Sequence, residues 1–187
     1  MEATIYRESE RQAKVDIDVG LLEALYHQYY RNVYNYICFR INNHYAAEDL
    51  ASIVFEKAIR GWKRYDPVRP AEAWLISIAK NTVTDYLRSQ GRSRFVVLDA
   101  IIELISPDAQ PDAVTVINED NRTLMTAMAK LKAQERQVLS LKFATDLKNG
   151  EIAKILNMSD SYVGVAAHRA LKKLRKLMED EACEALF

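Results

Sequence analysis

The stretch from Asn149 to Arg175, NGEIAKILNMSDSYVGVAAHRALKKLR, constrains the fold more than any other part of the chain. Ile152, Ala153, Ile155 and Leu156 form an apolar stripe at helical spacing, bounded by Asn149-Gly150 before and Asn157-Met158-Ser159 after. Ser159 is suited to cap a second helix, because its hydroxyl can accept from backbone N–H groups two or three residues on. That second helix is expected to turn Val163, Ala167, Ala170, Leu171 and Leu174 inward. His168, Arg169, Lys172, Lys173, Arg175 and Lys176 would then lie on its outer face. Two helices joined by a turn of a few residues, the second basic, is the helix-turn-helix pattern. In such a motif the second helix enters the DNA major groove, its first turns meeting base edges and its flanking cations meeting phosphates. The same pattern also fits an αα-hairpin with a solvated basic face, so the stretch alone leaves DNA binding open.

Composition narrows the classes. The chain has 187 residues, room for one large domain or two small ones, and its scarcity of Gly and Pro favours helix over strand. Net charge is zero, but the charges are segregated, and patches rather than totals decide nucleic-acid binding. No apolar run approaches the length of a membrane span and the N-terminus lacks a signal-peptide core, so no membrane insertion and a cytoplasmic location are expected. Cys38 and Cys183 lie far apart without metal-ligand spacing and read as buried or half-buried thiols, so no metal and no cofactor are expected.

In chain order, residues 1–17 are polar and aperiodic and read as a tail. Asp18 is placed to cap a long helix to about Asn42, with Leu22, Leu25, Tyr29, Val33, Tyr36, Ile37 and Ile41 on one side. The five tyrosines from Tyr26 to Tyr36 read as core and interface packing. After a break at Asn42-Asn43-His44, Ala46 to Trp62 reads as a second helix. Leu50, Val54, Phe55, Ala58 and Trp62 face inward there, and Glu48, Asp49, Ser52 and Glu56 face solvent or a partner. Those carboxylates lack a complementary His, Cys or Gly-rich loop, so no catalytic site is expected among them.

Two prolines force a loop over Arg64-Tyr65-Asp66-Pro67-Val68-Arg69-Pro70, and Pro70 is placed to open a helix reaching about Gln90. Trp74, Leu75, Ile78, Tyr86 and Leu87 are its expected packing stripe. Lys57, Arg60, Lys63, Arg64, Arg69, Lys80, Arg88, Arg92 and Arg94 surround it, against only Asp66, Glu72 and Asp85. Cations interleaved with Trp62, Tyr65, Trp74 and Tyr86 suit a backbone-tracking groove with stacking faces for unpaired bases. They suit equally a generic basic surface over a structural aromatic core.

From Asp99 to Asp120 the chain carries acids and no Lys or Arg, with two prolines in the middle, and this marks a domain boundary. A helix from Pro111-Asp112 to about Leu131 and another over Ala133 to Phe143 lead into the helix-turn-helix. After Met178 the chain turns acidic again. The expected organisation is all-α: a tail over 1–17, a helical domain over 18–95, an acidic linker over 96–117, a second helical domain over 118–180 and a tail over 181–187.

Four stretches in this order resemble the extracytoplasmic-function (ECF) sigma factors, small two-domain members of the sigma-70 superfamily of bacterial RNA polymerase subunits. LLEALYHQYYRNVYNYI resembles the opening helix of region 2, and AEDLASIVFEKAIRGW its core-polymerase-binding helix. AWLISIAKNTVTDYLRSQGR resembles its promoter-melting helix, and LKAQERQVLSLKFATDLKNGEIAKILNMSDSYVGVAAHRALKKLR the whole of region 4. The likeness covers about residues 19–178.

The resemblance implies a promoter-specificity subunit with no active site, whose partners are core RNA polymerase, through the β′ clamp and β flap, promoter DNA and an anti-sigma protein. Asp49, Leu50, Ser52, Phe55 and Glu56 would dock on the β′ clamp. Arg64, Tyr65, Asp66, Arg69 and Trp74 would form or flank the loop that pockets a base flipped from the −10 element. Lys80, Asn81, Asp85 and Arg88 would lie along the melted strand. At the −35 element Ser159 caps the reading helix, and Ser161, Tyr162 and Val165 would meet bases. Arg136, His168, Arg169, Lys172 and Lys173 would meet phosphates. Ser52-Ile53 stands where the family usually has Gln and an acid, Lys132 where it has Pro, and Gly164 and Ala166 where the reading helix often carries cations. A helix-turn-helix regulator with a helical sensor or dimerisation domain is the alternative; it predicts duplex binding without polymerase, as a dimer on two half-sites.

Overall fold

The computed structural model describes residues 19–94 and 119–184, of which 19, 92–94, 119–121 and 181–184 are described by backbone alone. The expected tails, the linker over 96–117, the Asp18 cap and the start of a helix at Pro111 lie outside the described residues, as do the side chains of Arg92, Arg94 and Cys183. Seven α-helices make up the described part: α1 Val19–Ile41, α2 His44–Gly61, α3 Ala71–Arg94, α4 Glu119–Lys130, α5 Ala133–Ala144, α6 Asn149–Leu156 and α7 Asp160–Glu184. A 3-10 turn, Trp62–Arg64, follows α2.

Each boundary has a local cause. Asn42 takes the left-handed conformation (φ 54°) that ends α1, and its N–H reaches the Cys38 carbonyl at 2.8 Å. Asn43 then caps α2, its Oδ1 accepting from the Ala46 N–H at 3.0 Å. Pro70 precedes α3, and its carbonyl takes the Trp74 N–H at 3.2 Å. At the start of α5, Glu135 reaches back to the Lys132 N–H at 2.9 Å, and Glu151 does the same for Lys148 before α6 at 2.8 Å. A side chain three residues into each helix therefore satisfies a donor that a Ser or Thr cap would leave free.

One core runs through most of these elements. α1 lies at its centre and packs against α2, α3 and α5, while α6 rests on α3. Val33, Tyr36 and Ile37 meet Leu50, Val54 and Phe55 of α2, Leu75, Ile76, Ala79 and Val83 of α3, and Leu141, Ile152 and Ile155 of α5 and α6 in a single apolar cluster. A second cluster, Ala127, Met128, Leu131, Leu139, Ala170 and Leu174, ties α4, α5 and α7 together. The two helical units of the sequence thus share packing.

Being covered on two sides changes which residues are inside. On α1, Leu25, Val33, Tyr36 and Ile37 of the expected stripe are buried and Leu22, Tyr29 and Ile41 half-buried; Cys38 and Arg40 are buried too, Cys38 beside His44 of α2 and Arg40 against the Ala133 carbonyl at the start of α5. On α3 the buried line is Leu75, Ile76, Ala79, Thr82 and Val83, with Trp74, Ile78 and Tyr86 half-buried beside it. Leu87, expected in the stripe, is exposed, as is Leu171 on α7. α2 matches its expected faces, with Leu50, Val54, Phe55 and Ala58 inside and Trp62 half-buried.

Candidate nucleic-acid interface

The helix-turn-helix is α6 and α7. Asn157 closes α6 in the left-handed conformation (φ 56°, ψ 50°), which short polar side chains tolerate better than branched ones. The Ser159 hydroxyl accepts from the Tyr162 N–H at 3.3 Å, and the Ser159 carbonyl takes the Val163 N–H at 3.1 Å, so this serine starts α7. Val163, Ala170 and Leu174 anchor α7 inward. Ser161, Tyr162 and Val165 stand exposed on its first turns, and His168, Arg169 and Lys172 are exposed further along. Gly164 leaves its helix surface low, and Asn149 Nδ2 lies 3.5 Å from where a Cβ would stand.

Two of the cations expected on phosphates are engaged within the fold. Lys173 Nζ donates to Glu135 Oε2 at 2.8 Å, bracing α7 against α5. That ammonium, with the Lys132 N–H, holds the Glu135 carboxyl below its ordinary range. Arg136 is half-buried and gives its guanidinium to the Ala129 and Leu131 carbonyls, the latter at 3.1 Å, at the end of α4. Burial, and then the neighbouring Arg40 charge, lower its pKa.

The second surface surrounds the turn between α2 and α3. Trp62, Tyr65 and Trp74 form a three-ring cluster, with centroids 5.1 Å apart for Trp62–Tyr65, 4.8 Å for Tyr65–Trp74 and 5.8 Å for Trp62–Trp74. The loop that follows is pre-shaped. Asp66 Oδ1 accepts from the Val68 N–H at 3.0 Å, the Asp66 carbonyl from the Arg69 N–H at 2.9 Å, and the Tyr65 hydroxyl donates to the Arg69 carbonyl at 3.0 Å. Val68 at the tip is 90% exposed, and Arg64 and Arg69 are exposed around it. Further along α3, Asn81, Asp85 and Arg88 are exposed, and Arg88 lies 3.4 Å from Asp85. Lys80 is half-buried, its ammonium on the Ile155 carbonyl of α6 at 2.8 Å.

A third surface is the outer face of α2. Asp49, Ser52 and Glu56 are exposed; Glu56 pairs with Arg60, and the Ser52 hydroxyl donates to the Glu48 carbonyl at 3.1 Å. Leu50 and Phe55, expected in the same docking set, are core residues, and Phe55 packs under Tyr26 with ring centroids 4.9 Å apart. Tyr45, Ile53 and Ile59 are exposed apolar residues on this helix; Ile53 stands at the departure from the family pattern noted above, whereas Tyr45 and Ile59 are not among the expected site residues. Their signal was large apolar side chains at helical spacing among the polar positions 49, 52 and 56. Among the described residues no group of His, Cys, Asp and Glu is arranged to hold a metal, and no helix is long and apolar enough to cross a membrane.

The fold and these surfaces define a helix-turn-helix protein whose basic second helix is accompanied by a helical module with an aromatic-lined loop. Comparison with known proteins makes the class specific. The sigma-70 region 2 family model matches residues 25–93, and the sigma-70 region 4 model residues 121–174. The RNA polymerase sigma factor YlaC of Bacillus subtilis is 32% identical over 158 residues, 84% of this chain and 91% of YlaC. The ECF RNA polymerase sigma factor BldN of Streptomyces coelicolor is 29% identical over 160 residues, 84% of this chain but 60% of BldN. In fold the chain is similar to the sigma factor RpoE of Bartonella quintana, solved in complex with the anti-sigma factor NepR; the TM-score is 0.72 at 20% identity, covering 84% of this chain and 96% of that one. The chain belongs to the ECF sigma factors, the RNA polymerase subunits that direct transcription initiation.

Proposed function

We propose a division of labour among the three surfaces. The region-2 unit, over about residues 18–95, binds core polymerase and the −10 element; the region-4 unit, over about 118–180, reads the −35 element; residues 96–117 join them. Asp49, Ser52 and Glu56, together with the exposed Tyr45, Ile53 and Ile59, offer polymerase a mixed apolar and acidic helix face. Tyr65, Trp74 and the loop around Asp66 hold an unpaired base, while Arg64, Arg69, Lys80, Asn81 and Arg88 follow the melted strand. Stacking on aromatic faces returns about 1–3 kcal/mol per base, which offsets part of the cost of opening a base pair. Ser161, Tyr162 and Val165 meet base edges of the −35 element, and His168, Arg169 and Lys172 meet its phosphates. The pre-formed aromatic loop carries this reading, because a regulator that binds only duplex DNA has no use for stacking faces beside a shaped loop.

Such a subunit acts in the cytoplasm with no catalytic centre of its own. Since RpoE was solved bound to NepR, an anti-sigma protein that covers the polymerase-facing helix is the partner to expect here. The test is assembly with purified core RNA polymerase. A one-to-one complex that protects both promoter elements supports the reading; tight dimeric duplex binding by the chain alone, with no affinity for core, supports the regulator instead.

A further inference from the structure

Gly164 lies inside α7, where glycine is less favourable than alanine because it gives up more backbone freedom on folding. Neither backbone nor space requires it. Among the described residues no glycine has a positive φ, and a Cβ at 164 would meet Asn149 Nδ2 at 3.5 Å, an ordinary contact. An alanine would therefore fit. Any longer side chain would have to run over the Asn149 amide, so that amide is what the glycine keeps clear.

Asn149 opens α6, and its amide has a fixed orientation. Lys142 Nζ on α5 donates to Asn149 Oδ1 at 3.0 Å. An ammonium can only donate, so the oxygen lies on Lys142 and the NH2 is the end turned to α7. Among the described residues that NH2 has no acceptor. Gly164 also shares a helix face with residues assigned to the −35 element. It lies three residues beyond Ser161, one before Val165 and four before His168, all of them exposed. At the one place on this face where α7 carries no side chain, α6 supplies an amide.

We propose that Asn149 is a specificity-determining residue of the −35 interface: its amide, oriented by Lys142 and left uncovered by Gly164, donates to an acceptor on a base edge in the major groove. The inference rests on the −35 reading above and moves one point of readout from α7 to α6. With its oxygen held by Lys142, Asn149 lacks the donor–acceptor pair that asparagine uses on adenine N6 and N7. It offers donors alone. These suit guanine N7 and O6 or thymine O4, and they oppose the amino groups of adenine and cytosine.

The experiment selects from promoter fragments randomised over the −35 element, using core RNA polymerase with the full chain, wild type or variant. Melting temperatures show that each variant folds. Wild type should prefer guanine or thymine at one position, and N149A should lose there a discrimination of roughly 5- to 150-fold. Preferences at the other positions and the salt slope of binding should stay as they were. G164M carries an apolar side chain over the amide, so it should abolish the same preference, and N149A should change nothing further in that background. G164A should raise the melting temperature, since its methyl fits. A lowered melting temperature for G164A makes the glycine a packing requirement and overturns the proposal. So does an N149A chain that keeps every preference, or one that weakens all fragments alike, as loss of a phosphate contact would. A wild type with no preference anywhere in the element overturns the −35 reading as well.

Discussion

Lys80 on α3 and Ile155 on α6 are joined by an ammonium-to-carbonyl hydrogen bond of 2.8 Å, although they stand 75 residues apart in sequence. The acceptor sits in the last turn of α6, where carbonyls lack intrahelical partners and the helix dipole favours a cation. A residue suited to the DNA backbone thus caps the first helix of the helix-turn-helix in the free chain. Replacing Lys80 with Met should raise hydrogen exchange at the C-terminal end of α6 in the free protein. In the polymerase complex the same change should reduce permanganate reactivity of −10 thymines. Reactivity equal to wild type would remove Lys80 from the melted-strand set.

Tyr162 and Arg169 are exposed on α7, and their losses should look different. Tyr162→Ala should relax discrimination at the −35 element, by about 1–3 kcal/mol for a base it reads. Arg169→Ala should weaken all sequences alike and lower the salt slope of binding by about one. Lys173→Met should leave that slope nearly unchanged, since its ammonium is on Glu135. Titrating promoter binding against salt checks all three.

The Lys173–Glu135 pair also predicts an acid response. The folded carboxyl lies below its ordinary value, chiefly through Lys173. Its stabilisation is therefore fully present above the ordinary Glu pKa of about 4.3 and is lost as pH falls through the lower folded value. The pair is partly exposed, so its removal should cost about 1 kcal/mol or less at neutral pH. Thermal melts of wild type and K173M should differ at pH 7 and converge in acid.

Glu72 has the opposite sign. Burial raises its pKa; Asp146 and Glu151 raise it further, against the lowering effect of hydrogen bonds from Asn32 and the Asp146 N–H. Tyr29 also faces it. A raised carboxyl favours the folded form below its ordinary value, and that advantage is lost as pH rises through the raised one. Glu72→Gln keeps an acceptor without the charge, so its melting temperature relative to wild type should climb from about pH 4.5 toward neutral. A constant difference across that range would contradict the assignment.

Asn157 supplies a test of the turn itself. At φ 56°, Asn157→Gly should be close to neutral, whereas Asn157→Val should destabilise the region-4 unit by roughly 1–2 kcal/mol. Chemical denaturation of the two variants measures the difference.

Much of this was legible in the chain because local signals and tertiary packing agree there. The Asn42-Asn43 break, the Pro70 start, the Ser159 cap and the inward face of α2 all depend on residues within one turn of each other. The departures arise where a distant element supplies the environment. Ile76 and Val83 displaced Leu87 from the α3 stripe because α3 is covered by α1, α2 and α6 together. Arg40 lies outside the apolar stripe of α1, yet it is buried where α5 packs on that helix. For Arg136 and Lys173 residue type gave the charge, but the ends of other helices determined where it went. Single-helix periodicity cannot anticipate a second partner, and here that partner is the other half of the chain.

A promoter-specificity role is tested most directly by transcription by purified core RNA polymerase on fragmented genomic DNA, with and without this chain. It predicts new transcripts that start at discrete sites, preceded by a shared pair of sequence elements spaced as −35 and −10, and that appear only when the chain is present. Transcripts unchanged by its addition, alongside tight binding of the chain alone to duplex DNA, would contradict it.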